Sequence, residues 1–177
     1  MATSPTPVPA ARPVARRSCC IIRNSTGLRS PKSTSAETTF EHDIAEFRQL
    51  GLRLWRLSEK VSARLKASEL AGATVTLKLK TADFRLRTRA QSFGHPTQLA
   101  AKIFACGREL LARETNGTKY RLIGIGVSAL MPAPPGDIAD LIDRRSADVE
   151  LAIDQLRARF GDEAVVKGLI FDQKDED

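Results

Sequence analysis

The chain has 177 residues, a mass of 19.4 kDa, 42% hydrophobic and 28% charged residues, and a formal net charge of +7. That supports one domain of ordinary size with tails, and no apolar run approaches the roughly 18–20 residues a helix needs to cross a bilayer. Three cysteines, two of them adjacent at Cys19 and Cys20, make no disulfide framework, two histidines offer no zinc-ligand spacing, and a reducing cytoplasmic compartment is expected.

The charge is unevenly spread. From Gly136 onward six Lys/Arg stand against twelve Asp/Glu, which leaves 22 basic against nine acidic residues ahead of it. A first part at +13 joined to a tail at −6 points to a polyanion as the partner of the first part.

Residues 1–31 contain no acid, carry four prolines in their first thirteen positions and show no hydrophobic periodicity, which predicts a disordered basic arm. The composition is also that of a transit peptide, and Arg16-Arg17 is like a twin-arginine signal. The four apolar residues Cys19 to Ile22 are too few for an export segment.

Order is expected from Lys32. The stretch KSTSAETTF (Lys32–Phe40) predicts a strand running into a helix, with Asp43 and Glu46 spaced as a capping box. Phe47, Leu50, Leu54, Leu57, Val61 and Leu65 then form one stripe of an amphipathic helix from about Ile44 to Leu70, stopped by Gly72. From Thr74 to Phe93 the period changes to two: Val75, Leu77 and Leu79 alternate with Thr74, Thr76, Lys78 and Lys80. After a turn at Ala82-Asp83, Phe84, Leu86, Thr88 and Ala90 alternate with Arg85, Arg87 and Arg89. This predicts a hairpin with one apolar face and one very basic face.

Pro96 and Thr97 open a second helix carrying Leu99, Ile103, Cys106 and Leu110, and Asn116-Gly117 marks a turn. The last strand, Tyr120–Leu130, sends Ile123, Ile125 and Val127 inward, and Leu122, Gly124, Gly126 and Ser128 outward. The fold class is therefore α+β in the order β-α-β-β-α-β, a four-stranded sheet with two helices packed on one face. A Pro-rich linker over 131–142 leads to a helical extension over 143–177, whose helix from Asp143 to Phe160 carries Val149, Ile153, Leu156 and Phe160, ends at Gly161 and leaves an acidic tail.

The face left bare by the helices is the informative one. Lys78, Lys80, Arg85, Arg87 and Arg89 are expected there together, with hydroxyls from Thr38, Thr74, Thr76 and Ser128. Such a row suits the phosphates of a nucleic acid. Gly124 and Gly126 fit close approach of a backbone. Phe84 falls on the inward parity and only Tyr120 is a candidate for an outward aromatic, so the surface suits duplex backbone, not stacked bases, and RNA ranks last. No carboxylate cluster, nucleophile with a base, or phosphate-cradling glycine loop is found, so no catalytic residue, metal site or cofactor is assigned.

The segments KSTSAETTF, LKLKTADFRLRTR and RLIGIGVSAL resemble the little-finger domain of Y-family translesion DNA polymerases, closest to the bacterial DNA polymerase IV branch. The resemblance covers about Lys32 to Leu130. It implies a sheet face lying in the major groove of template–primer duplex, with DNA contacts at Lys32, Ser33, Ser35 and Thr38, at Arg85, Arg87 and Arg89, and at Gly124. Thr76, Lys78, Lys80 and Gly126 join them from the residue pattern alone.

The family keeps palm, fingers and thumb ahead of this domain, and its magnesium belongs to the palm. Here about thirty acid-free residues stand in that place, and Pro31-Lys32 replaces the usual basic pair. A truncated or split gene product, or a stand-alone little finger, is expected, one that does not polymerise alone. The alternatives are a chain completing a polymerase in trans with a separately encoded palm and fingers, and a module for the processivity clamp through Asp137–Ile142 or Gly168–Phe171.

Overall fold

The computed structural model describes residues 31–133, 141–161 and 164–165, with the side chains of 141–144 excepted. Residues 1–30 of the basic arm, most of the Pro-rich linker, the segment Gly168–Phe171 and the acidic tail lie outside the described residues. In chain order the elements are β1 (Ser33–Ile44), α1 (Phe47–Ala67), β2 (Leu70–Thr81), β3 (Leu86–Thr97), α2 (Ala100–Glu114), β4 (Tyr120–Pro132) and α3 (Leu141–Phe160). The four strands form one antiparallel sheet in the order β1-β4-β2-β3. This is the expected β-α-β-β-α-β architecture with a helical extension.

Alternation places the core. Val75, Leu77 and Leu79 of β2 and Ile123, Ile125 and Val127 of β4 are buried on one side of the two central strands. Over them lie the stripe Leu50, Leu54, Leu57, Val61 and Leu65 of α1 and Ile103, Cys106, Leu110 and Leu111 of α2. Each such Leu or Ile contributes about 2 kcal/mol by leaving water. Trp55 and Phe104 join the two helices edge to face, their centroids 5.1 Å apart. Gly107 lets α2 lie close to the sheet: a Cβ there would stand 2.7 Å from Ile125 Cδ1.

Both ends of α1 differ from the sequence expectation. The strand β1 runs on to Ile44, so Asp43 is strand and caps nothing, and Glu46 holds the N-cap position without a side-chain bond. At the other end Ser68 N donates to Arg64 O (3.1 Å) and Glu69 turns the chain with φ +53. A glycine usually marks that left-handed position. Gly72 instead lies inside β2, where a Cβ would be 2.1 Å from Val127 Cγ1. Pro96 and Thr97 close β3, and the Thr97 hydroxyl accepts from Leu99 N at 3.2 Å.

The helix α3 docks through charge. The Glu150 carboxylate accepts from Ala100 N (3.1 Å) and Ala101 N (2.9 Å), the open end of α2. Lys66 of α1 donates to Glu150 (3.0 Å) and Asp154 (2.7 Å), and Arg157 donates to Glu59 (2.9 Å) and to Val165 O. The apolar stripe predicted for this helix is not what packs: Ile153 is half-buried, and Val149, Leu156 and Phe160 are exposed. Glu150, Asp154 and Arg157 lie on a neighbouring face of the helix.

Candidate nucleic-acid interface

The turn between β2 and β3 decides which residues share the open face. Thr81 N donates to Arg85 O at 3.0 Å, Phe84 N donates to Thr81 O at 2.9 Å, and Phe84 has φ +64. This is a three-residue loop, Ala82-Asp83-Phe84, ending in a left-handed residue. The two-residue turn expected at Ala82-Asp83 would set Lys78 opposite Arg87. The observed register sets Lys78 opposite Thr88 and Leu79 opposite Arg87. One added residue moves every side chain of β3 to the other face.

The expectation of five cations on one face is therefore corrected. Lys78 and Lys80 stand on the open face, whereas Arg87 and Arg89 stand on the helix side, opposite Leu79 and Leu77. Arg85 shares their parity and is exposed beside the loop. Because β3 is an edge strand, the two arginines are not buried; they reach round to Glu114 at the end of α2. Arg87 Nη1 lies 3.1 Å from Glu114 Oε2, and Arg89 Nε lies 2.7 Å from Oε1 of the same side chain, which is only 7% exposed. The hydrogen bond that Arg87 donates to Glu114 raises its guanidinium above the ordinary pKa.

Across β1, β4, β2 and β3 the open face has four rows. They are Ser33–Ser128–Thr74–Ser92, then Ser35–Gly126–Thr76–Ala90, then Glu37–Gly124–Lys78–Thr88, then Thr39–Leu122–Lys80–Leu86. One end is hydroxyl-rich, with Thr74 Oγ1 3.0 Å from Ser92 Oγ. The other end is cationic and apolar. Thr38, expected outward, lies opposite Ile123 on the helix side, and Thr39 takes the outward place. Lys32 is exposed just ahead of β1.

The glycines of β4 have a local cause that the sequence reading did not supply. A Cβ at Gly124 would lie 2.9 Å from Glu37 Cβ, and one at Gly126 would lie 3.1 Å from Ser35 Cβ. Close packing of β1 accounts for both. The expected approach of a ligand backbone is not needed to explain them.

Both aromatic expectations are reversed. Tyr120 is fully buried and its hydroxyl donates to Glu114 O at 2.8 Å. Phe84 is 61% exposed, with Lys80 Nζ 4.8 Å and Arg121 Cζ 4.2 Å from its ring centroid. No sequence signal marked it, since a three-residue loop of this type usually ends in glycine.

The free edge of β3 adds backbone donors. The bonded pair Thr81–Arg85 sets the alternation of the ladder, so the N–H groups of Arg87 and Arg89 turn toward β2. Those of Leu86, Thr88 and Ala90 turn toward the edge, where Thr88 O accepts from Arg89 Nη1 at 3.0 Å. Elsewhere, burial pushes the Cys106 thiol pKa up. Among the described residues no three His, Cys, Asp or Glu side chains are grouped to hold a metal ion, and no helix is long and apolar enough to cross a membrane.

A family model described as the impB/mucB/samB family C-terminal domain matches residues 31–139. The chain is 57% identical over 143 residues to DNA polymerase IV 1 of Mesorhizobium japonicum, which covers 79% of this chain and 33% of that protein. It spans about a third of the length of the curated relatives it matches. Of the solved structures, the complex of β-clamp processivity factor and little finger domain of PolIV is 25% identical with a TM-score of 0.49, covering 60% of this chain and 96% of that one. A Y-family DNA polymerase chimera of Dbh and Dpo4 is 13% identical with a TM-score of 0.52, covers 58% of this chain and 30% of that one, and shares the fold.

Proposed function

Because the chain belongs to the impB/mucB/samB family through its C-terminal domain, the little finger of Y-family polymerases, we propose that it binds duplex DNA through the phosphate backbone along the β3 edge and the adjoining open face. The observation that carries this reading is the edge itself. Along β3, outward-turned N–H groups of Leu86, Thr88 and Ala90 alternate with Arg85, Arg87 and Arg89. Residues two apart on a strand are about 7 Å apart, so the edge offers a ladder of amide donors with a cation beside each. Amides and guanidinium groups together are the usual partners of phosphate oxygens.

Behind the edge, Lys78 and Lys80 extend the positive surface, and the Ser, Thr, Gly and Ala rows hold no bulky side chain against an approaching strand. Amides and cations that meet phosphate oxygens carry no information about the bases, so binding of this kind is independent of sequence. In a whole translesion polymerase the domain would hold template–primer while other parts of the protein supply the chemistry and its magnesium.

The test is duplex binding by fluorescence anisotropy over a salt series, with two unrelated sequences. About four to five phosphate contacts give a log–log slope near −4. Replacing Lys80 and Arg85 by Ala should weaken both sequences alike and flatten the slope by about two. Affinity that is insensitive to salt, or unchanged in this double variant, overturns the assignment.

A further inference from the structure

Phe84 stands in a place that neither backbone nor packing favours. Its φ of +64 is left-handed, a conformation strained for a bulky residue and free of strain for glycine. Its ring is 61% exposed, so little apolar area is removed from water in return. The ring lies at the hairpin end of the open face, between two cations: Lys80 Nζ at 4.8 Å and Arg121 Cζ at 4.2 Å from its centroid. Leu86, also on that face and 59% exposed, and Leu122 continue the apolar surface beside it.

A strained, exposed aromatic with flanking cations is the arrangement that holds an unpaired nucleobase: the ring gives a stacking surface and the cations meet the adjoining phosphates. Base pairs inside a duplex are stacked on one another and offer no free face to it. We propose that Phe84, with Lys80 and Arg121, forms a stacking site for an unpaired base of single-stranded DNA where it leaves the bound duplex. The proposal rests on the duplex reading above and adds to it a preference for a single-strand/duplex junction.

The experiment compares, with the full chain, a blunt duplex and the same duplex carrying a short single-stranded overhang with 2-aminopurine at its unpaired positions. The overhang should raise affinity about tenfold, and the 2-aminopurine fluorescence should fall on binding. Phe84→Gly should abolish both effects, leave blunt-duplex affinity within about twofold, and keep or raise the melting temperature, because glycine relieves the left-handed backbone. Phe84→Trp should retain both effects. An overhang increment that survives in Phe84→Gly, with blunt-duplex binding intact, overturns the stacking site alone. Failure of the wild-type chain to bind blunt duplex overturns the reading beneath it.

Discussion

Lys78 Nζ lies 2.8 Å from Glu37 Oε2 although the strand β4 runs between their strands. The two side chains meet above Gly124, which is opposite Glu37 on one side and Lys78 on the other. Only a residue without a side chain leaves that path open. The pair is about 40% exposed at both partners, so it adds little to stability. Its consequence is electrostatic: a carboxylate occupies one of the two lysines on the face assigned to DNA.

Glu37→Gln should therefore strengthen duplex binding about two- to threefold at low salt, with the gain fading as salt rises. The melting temperature should hardly move. Weaker binding in this variant would show that Lys78 needs Glu37 to hold its place and does not meet phosphate itself.

Gly124→Ala tests the close approach of β1 to β4. The new methyl would lie 2.9 Å from Glu37 Cβ, a contact that forces the strands apart. A loss of about 1–3 kcal/mol in urea unfolding is expected, as for overpacking in a core. Gly94 of β3, where an added Cβ meets nothing within 4 Å, is the internal control for a glycine replaced in a strand.

Arg87 and Arg89 share the carboxylate of Glu114, which is nearly buried. Removing both arginines leaves that charge with neither partner, so Arg87→Ala with Arg89→Ala should lower the melting temperature as well as DNA affinity. Adding Glu114→Ala should restore most of the melting temperature and none of the affinity. Recovery of both together would mean that the arginines act on DNA only through the fold.

Most of the fold was legible because its period was unambiguous. The steps of three and four from Phe47 to Leu65, and the strict alternation in β2 and β4, each match one element and one buried face. What was not legible turned on single residues in left-handed backbone. Glu69 ends α1 and Phe84 ends the hairpin loop at φ values of +53 and +64, where a sequence signal would be glycine or asparagine. Missing the first shifted a boundary. Missing the second reversed the face of a whole strand, and with it the placement of Arg85, Arg87 and Arg89. The alternation in β3 gave no warning, because at an edge Leu86, Thr88 and Ala90 pass as a weak inward face although the structure exposes them.

Cys106 lies on the buried stripe of α2, and loss of solvent holds its thiol pKa above the ordinary cysteine value. A neutral thiol favoured by the fold contributes stability that is present below the unfolded pKa and is lost as pH rises through the folded one. Unfolding free energy should therefore decline above about pH 9, and less so in Cys106→Ala. Alkylation of Cys106 at neutral pH should be slow in a Cys19→Ser, Cys20→Ser background, and denaturant should release it.

Glu150 ties α3 to the domain through both α1 and α2. The N-cap residue of α2, Leu99, has no side chain that can accept, and two N–H groups of that first turn go to the Glu150 carboxylate instead. An anion there also meets the positive end of the helix dipole, and Lys66 balances its charge. Glu150→Ala should cost about 1–3 kcal/mol in equilibrium unfolding, from the lost cap and the two amides left without it. The specific readout is hydrogen exchange: the amides of Ala100 and Ala101 should exchange faster, while that of Ile103, which donates to Leu99 O at 3.1 Å, stays protected. Glu150→Gln should fall between, since its amide oxygen still accepts from one of the two N–H groups while its amide nitrogen accepts from neither. Unchanged exchange at Ala100 and Ala101 would mean that α3 is not seated on α2 in solution.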